Sequence, residues 1–381
     1  MSSQTKIYNY KTLNNLVVRL RDDLNSSDFV LLFAYNGTGK TRISMAFKDK
    51  GKKQEKNKPD TLYFNAFTED LFHWDNDLQN DAERVLKINA DSSFFSGLKE
   101  LALEEKIFAY LERYAEFDFK IDYEKWEITF SKEIKNPKYR IGSEEPEYIL
   151  LNNIKISRGE ENIFIWCFFL AICELAIDGE EAYKDIKFIF IDDPISSLDD
   201  NNAIAVATDL SQLLQKGIGK QKVVISSHHS LFFNIMCNEL KKFKHKRYFL
   251  HKNGQEGHTL RVTNDTPFFH HVALLSELKR AVDTDKINTY HFNMLRSILE
   301  KTSNFFGFDD FSQCVHGIED EVLYARALNL LSHGKYSIYE PKEMGVDNKK
   351  LFQDILQSFL DKYHFYLPKV FIDEKKTINL T

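Results

Sequence analysis

Apolar side chains recur at helical spacing from Tyr10 to Leu24, which predicts an amphipathic helix over that stretch. The run DFVLLFAY (28–35) is apolar throughout and reads as a buried strand rising into a glycine-rich turn and a following helix. That helix is expected to end in KDKGKKQEKNK (48–58), a solvated lysine-rich loop. TLYFNAF (61–67) has strand character, 85–115 reads as helical, and WEITFSK (126–132) alternates as an exposed strand does. Two continuous apolar runs, DIKFIFIDD ending at Asp193 and KVVISSHH (222–229), are of the kind found in parallel strands covered on both faces. RYFLHK and HTLRVT predict a hairpin with NGQEG (253–257) as its turn. Beyond Pro267 the period becomes helical, with helices expected over 268–284, 287–305, 318–334 and 347–363. The change of pattern places a domain boundary at 265, giving an α/β domain over 1–265 and an all-α bundle over 266–381.

Composition narrows the class. A chain of 381 residues with 43% hydrophobic and 14% aromatic side chains has ample material for two cores. The net charge of −6 argues against bulk electrostatic attraction to nucleic acid, so any such contact must be local. Cys167, Cys173, Cys237 and Cys314 lack metal-ligand or disulfide spacing and suit a reducing compartment. The longest apolar run, 163–177, contains Glu174 and is shorter than the ~18 residues a membrane helix needs. A cytoplasmic protein without membrane contact is expected.

Three strings carry nucleotide chemistry. In FAYNGTGKT (33–41), Gly37 and Gly39 let backbone N–H groups wrap a phosphate chain, Lys40 reaches the terminal phosphates, and Thr41 offers a hydroxyl to Mg²⁺. Ala34 replaces the first glycine of the common pattern, but Asn36-Gly37 fits the NGxGK form of ABC-type and SMC-like ATPases. FIFIDD supplies a Walker B strand, with Asp192 as the Mg²⁺ partner and Asp193 where many relatives carry a water-polarising glutamate. Being one methylene shorter, Asp193 predicts slow hydrolysis. ISSLD, ending at Asp199, resembles a D-loop, and His228 resembles the switch histidine that meets the γ-phosphate. Ser157, Gly159 and Glu160 open the apolar helix before Walker B as an ABC signature does, an anion site for nucleotide held by a second subunit. A homodimer or higher oligomer follows from that reading. Gln79 is the candidate for a Q-loop residue, and the span from Lys40 to Ser157 is too short for a long SMC coiled coil.

The helical part has its own constellation. Arg296 and Glu300 are four residues apart on one helical face, a spacing that also suits an ordinary intrahelical ion pair. Arg326 and His333 fit the loose R-x(4–6)-H pattern of HEPN-type ribonucleases. An arginine, a carboxylate and a histidine suffice for RNA transesterification without a metal: a base, an acid and a guanidinium for the phosphorane-like transition state. The base and acid assignments of His333 and Glu300 stay open.

Several longer segments resemble the PrrC family of bacterial anticodon nucleases: FAYNGTGKTR (33–42, including Arg42), 63–83, SRGEENIFIW (157–166), FIDDPISSLDDN (190–201) and YHFNMLRSILEKTSNFFGF (290–308). The resemblance implies that Arg296, Glu300 and His333 are catalytic. It also implies tRNA as substrate, tRNA-Lys in the best-known members, cut 5′ of the wobble base to leave a 2′,3′-cyclic phosphate and a 5′-hydroxyl. By the same resemblance the first domain answers to ATP or GTP with Mg²⁺, with dTTP as a regulatory ligand. A type I restriction–modification complex and a phage-encoded trigger are the implied partners.

Residues 266–381 hold 14 Lys and Arg against 16 Asp and Glu, so RNA contact is expected from placement. LKKFKHKRYFLHK (240–252) has six Lys and Arg among Phe243, Tyr248 and Phe249, suited either to RNA contact or to a lysine-protected strand edge. Tyr290, His291, Phe305 and Phe306 are further candidates for base stacking, or for core. The competing functional readings are a DNA-processing or DNA-end-sensing ABC/SMC-like ATPase with a non-catalytic bundle, and an OLD-like nickase, for which a strand-borne acidic set is wanting.

Overall fold

The computed structural model describes residues 6–54, 58–65, 71–75, 84–89, 103–142, 144–194, 200–253, 257–263, 270–315 and 343–363. The chain divides into two compact units, Ile7–Val262 and Thr263–Thr381 together with Met1–Lys6.

In the first unit a strand β1 (Ile7–Tyr10) precedes α1 (Leu13–Ser26), β2 (Phe29–Phe33) and α2 (Lys40–Gln54). The expected start of the helix at Tyr10 is therefore corrected to Leu13. Thr12 caps α1 by accepting from the Asn15 N–H, and Leu16, Val17, Leu20 and Leu24 form its buried stripe. α2 runs six residues past Lys48, so the expected loop begins only after Gln54. Then come β3 (Thr61–Asn65), β4 (Phe72–Asp75), β5 (Val85–Ile88), α3 (Leu103–Leu111), β6 (Asp118–Asp122), β7 (Glu127–Lys135), β8 (Tyr148–Leu151) and α4 (Arg158–Asp178). The reading of 85–115 as helix fails at its start, because Leu86 and Ile88 alternate into a core as β5. β9 (Phe188–Asp192), α5 (Asp200–Lys216), β10 (Lys222–Ser227), α6 (Ser230–Glu239), β11 (His245–Asn253) and β12 (Gly257–Val262) complete the unit.

Seven strands form one sheet in the order β1-β12-β11-β2-β10-β9-β3. The run from β11 to β3 is parallel, while β12 pairs antiparallel with both β11 and β1. The unbroken apolar strands β2, β9 and β10 lie at its centre, as burial on both faces requires. A second, antiparallel sheet has the order β4-β5-β7-β6, with β8 paired to the far end of β7.

Helix α4 lies between the sheets. Its Trp166 and Phe169 meet Phe64 of β3, whereas Phe164 and Phe168 meet Phe119, Phe130 and Phe72 of the second sheet. Every side from Ile163 to Ile177 except Glu174 is buried, which accounts for its apolar run without amphipathic periodicity. No described helix is long and apolar enough to cross a membrane.

The second unit contains α7 (His270–Asp283), α8 (Thr289–Phe306), a 3₁₀ turn at Phe311–Val315 and α9 (Val346–Lys362). Phe292, Leu295 and Leu299 of α8 are buried, as are Cys314 and Val315 of the turn and Phe352, Ile355 and Phe359 of α9.

Candidate functional site

The parallel register brings three motifs to one sheet edge. Ser227 of β10 stands opposite Phe33, the last residue of β2, while Ser226 stands opposite Asp192, the last residue of β9. Between β2 and α2 the chain turns sharply, with Gly37 at φ +81° and Gly39 at φ +91°, backbone that side-chain-bearing residues seldom adopt. The turn is tied internally by the Thr38 hydroxyl, which donates to the Tyr35 carbonyl at 2.7 Å. From outside, His258 of β12 donates through Nε2 to the Thr38 carbonyl at 3.2 Å.

Lys40 is buried inside this turn. Its ammonium donates to the Ala34 carbonyl (3.1 Å), the Tyr35 carbonyl (3.3 Å) and Asn36 Oδ1 (3.3 Å), and lies 3.4 Å from Asp193 Oδ2. Thr41 donates to Asp192 Oδ2 at 2.9 Å, and Ser226 donates to Asp192 Oδ1 at 2.6 Å. Ser44 adds a longer bond to Asp192 and approaches the Tyr63 hydroxyl at 3.1 Å. Burial, with Asp192 nearby, pushes the Tyr63 phenol up to about 12.

Adjacent carboxylates are driven in opposite directions. Burial lifts the Asp192 carboxyl above its usual range, although the Ser226 and Thr41 hydroxyls pull the other way. Burial also opposes ionisation of Asp193, but the hydrogen bond from His228 and the charge of Lys40 outweigh it and hold that carboxyl below the usual range. Asp193 has φ +53°, a left-handed conformation that aspartate tolerates better than most residues. In that pose its carboxylate accepts from the His228 N–H at 3.1 Å, and His228 Nδ1 lies 2.6 and 2.5 Å from its two oxygens. Because a carboxylate only accepts, Nδ1 carries the proton and Nε2 is directed away from this pair.

At the start of α4, the Ser157 hydroxyl accepts from the Glu160 N–H at 3.3 Å and Glu160 Oε2 accepts from the Ser157 N–H at 2.8 Å, a reciprocal capping box. Partial burial acts against ionisation of Glu160, yet its bonds to Ser157 keep its carboxyl below the usual range. Ser157, Arg158 and Gly159 are exposed, and a Cβ built on Gly159 meets nothing within 4 Å. The monomer therefore has no steric need for glycine there.

In the second unit Arg296 Nε donates to Glu300 Oε1 at 2.7 Å, and its guanidinium stands 5.6 Å from the Phe311 ring centroid. The arginine is mostly covered and the glutamate is half exposed. Arg326, His333, Asp199 and Gln79 lie outside the described residues.

A family model described as an AAA domain matches residues 127–361. The anticodon nuclease of Escherichia coli is 33% identical over 367 residues, covering 86% of this chain and 88% of that protein. This chain belongs to the PrrC family of anticodon nucleases. Two Staphylococcus aureus proteins of the SCCmec type IVc chromosomal cassette are each 28% identical over 200 residues, covering 50% of this chain and 28% of their own length.

Within this family member the structure joins Asn36, Lys40, Thr41, Asp192, Asp193 and His228 into one bonded cluster around the turn of Gly37 and Gly39. Arg42 is exposed in the first turn of α2 and Arg296 is paired with Glu300. Ser226, Ser44, Tyr63 and His258 also support the cluster, although the motifs did not name them. The Ser-Ser pair preceding His228 was the signal available for Ser226; nothing local marks His258, which arrives from a strand 220 residues further along the chain from Thr38.

The basic segment 240–252 is split in two: Lys241, Lys242, Lys244 and Lys252 are exposed, whereas the strand between them turns its aromatics inward. β11 is an interior strand, Tyr248 and Phe249 are buried, and the Arg247 guanidinium donates to the Cys237 carbonyl at 3.0 Å. Tyr248 and Phe249 serve the core, and the place of β11 between β12 and β2 excludes the protected-edge reading for that strand.

Proposed function

We propose that this chain is a nucleotide-regulated tRNA anticodon endoribonuclease of antiphage defence. The observation that carries the reading is the Arg296–Glu300 pair, held on one helix in a chain of the anticodon nuclease family. His333 joins them as the third catalytic group and Arg326 supports the phosphate. A base, His333 or Glu300, takes the proton from the 2′-hydroxyl, and the 2′-oxygen attacks the adjacent phosphorus. The other group protonates the departing 5′-oxygen, so the products are a 2′,3′-cyclic phosphate and a 5′-hydroxyl. Arg296 stabilises the added negative charge on the non-bridging oxygens. tRNA-Lys, cut 5′ of the wobble base, is the first substrate to test.

The ATPase-type unit fits Mg²⁺ and a nucleoside triphosphate, ATP or GTP, with dTTP a further regulatory candidate. Thr41 and Asp192 already place a hydroxyl and a carboxylate 2.9 Å apart, an oxygen pair suited to Mg²⁺, and a divalent charge offsets the burial that lifts the Asp192 carboxyl. Lys40 and the backbone of Gly37 and Gly39 hold phosphate oxygens, and Asp193 with His228 orients water at the terminal phosphate. The open space at Gly159 supports a homodimer in which Ser157 and Gly159 of one copy meet nucleotide on the other, with Asp199 at the same seam. Nucleotide then gates residues 266–381, read as a HEPN-like bundle, from residues 1–265. A type I restriction–modification complex and a phage-encoded trigger fit as the restraining and releasing partners in the cytoplasm.

The test loads purified protein with nucleotide, adds EDTA, incubates it with bulk tRNA and maps the ends. Cyclic-phosphate ends that vanish in His333→Ala and Glu300→Gln are expected. Intact RNA under every nucleotide condition, alongside cleaved or end-bound DNA, would overturn the proposal in favour of a DNA-processing ATPase.

A further inference from the structure

The C-terminal end of α8 carries aromatic rings that its own fold leaves in solvent. Phe305 is 84% exposed and Phe306 51% exposed, whereas Phe292 on the same helix is fully buried. The exposed rings are ordered against one another. Phe305 stands edge-on to Phe306 with centroids 5.3 Å apart, Phe306 stacks with Phe308 at 5.7 Å and 20°, and Tyr363 leans on Phe306 at 5.3 Å and 31°. Lys362 lies 5.6 Å from the Tyr363 centroid, adding a cation beside the rings. Leaving so much flat π surface open at the rim of a small helical unit is unfavourable unless something covers it.

The occupant is indicated by what else this helix holds. Phe306 lies ten residues, about 15 Å, along α8 from Arg296, and about 80° around its axis. On the proposed nuclease reading, an RNA strand whose phosphate rests at Arg296 reaches Phe306 within a few nucleotides. We infer that Phe305 and Phe306, backed by Phe308 and Tyr363, form a stacking platform for unpaired bases flanking the cleaved bond. Exposed Asp309, Asp310 and Asp361 adjoin Phe308 and Tyr363 in the chain and offset Lys362, so stacking rather than bulk charge is the expected source of affinity. This deepens the nuclease assignment and rests on it.

The experiment uses the full chain carrying Glu300→Gln, so that RNA survives, and measures fluorescence anisotropy with an anticodon stem-loop RNA and with the same stem-loop made abasic in the loop. Phe306→Ala is expected to weaken binding of the intact loop by about 5- to 150-fold, as the loss of one base–aromatic stack implies. Phe305→Ala, which removes a ring with little packing role, shifts affinity in the same direction; Phe306→Trp restores it. The abasic RNA binds both proteins alike, and the salt dependence keeps its slope. Wild-type affinity of Phe306→Ala and Phe305→Ala for the intact loop would sink the platform while leaving the nuclease reading untouched. Loss of affinity that tracks a lower mass in sedimentation would instead make the patch a face for a second copy of this chain. A protein with Phe305, Phe306 and Glu300 intact that neither binds nor cuts the loop removes both readings.

Discussion

Replacing Gly51 by alanine sets local propensity against tertiary geometry. Gly51 is inside α2, and glycine in a helix interior is ordinarily less stable than alanine by about 1 kcal/mol, so propensity alone predicts a stabilising change. A Cβ at this position would stand 1.8 Å from Asp60 Oδ1 and 2.5 Å from Arg21 Nη2. Those atoms belong to a buried ion pair with bonds of 2.9 and 3.2 Å, in which Arg21 also donates to the Phe47 carbonyl at 2.6 Å. The guanidinium is clasped 4.2 Å from the Phe47 centroid and 4.7 Å from that of Phe188, so it cannot step aside without losing these contacts. Breaking a buried pair costs about 3–5 kcal/mol, and subtracting the helix gain leaves a net destabilisation of about 2–4 kcal/mol for Gly51→Ala. Urea denaturation of the full chain followed by circular dichroism measures it. In an Asp60→Ala background the crowding carboxylate is absent and only the Arg21 contact remains, so the same substitution is expected to cost clearly less than in the wild-type chain. A midpoint at or above wild type for Gly51→Ala, or effects that add in the double variant, refutes the reasoning.

Other substitutions probe the nucleotide cluster and the helical unit. Asp193→Asn removes the anion shared by Lys40 and His228, and is expected to slow nucleotide hydrolysis by at least about tenfold while binding persists; unchanged steady-state phosphate release would count against this role. Lys40→Ala is expected to abolish the response of RNA cleavage to nucleotide with the helical unit still folded, as read by end mapping and circular dichroism. His291 is buried, and burial together with the Arg280 charge lowers its imidazole to about 4 from an ordinary 6.5. A value depressed in the folded state makes its contribution complete above 6.5 and progressively lost as pH falls towards 4, because the unfolded chain takes up the proton first. Its Nδ1 accepts from the Asn288 N–H at 2.9 Å, a bond the imidazolium cannot make. About 3 kcal/mol is at stake, so urea midpoints should fall between pH 7 and 5 and His291→Gln should flatten that slope; equal slopes exclude His291 as the cause.

What could be read from sequence depended on whether the determinants were contiguous. Gly37 to Thr41, the Asp192-Asp193 pair and His228 were legible because each motif sets its own backbone: a tight turn, a strand end, a strand end. The central strands were legible because burial on both faces demands an unbroken apolar run. β1 was not, since IYNY is a strand only through pairing with Gly257–Val262, some 250 residues away. β5 was hidden because four residues of alternation cannot be told from a helical start. The basic run in β11 misled for a related reason: Arg247 is counted as a surface charge until the carbonyl of Cys237 is seen to take its protons.

The same distinction separates identity from coupling at the nucleotide site. Sequence names Lys40, Asp193 and His228 as members of three different motifs, Lys40 and His228 as phosphate contacts and Asp193 as the residue that polarises water. Folded, they form one chain of contacts, Lys40 to Asp193 at 3.4 Å and Asp193 to His228 through both carboxylate oxygens. A phosphate oxygen drawn to Lys40 therefore competes with Asp193 for the ammonium, and what Asp193 loses there leaves His228 as its principal cation partner. One carboxylate, on a backbone at φ +53°, thus touches both the ammonium inside the turn and the histidine ring. The aspartate bonds to both the lysine of the turn and the histidine, a link that stands beside the water-orienting role proposed for it.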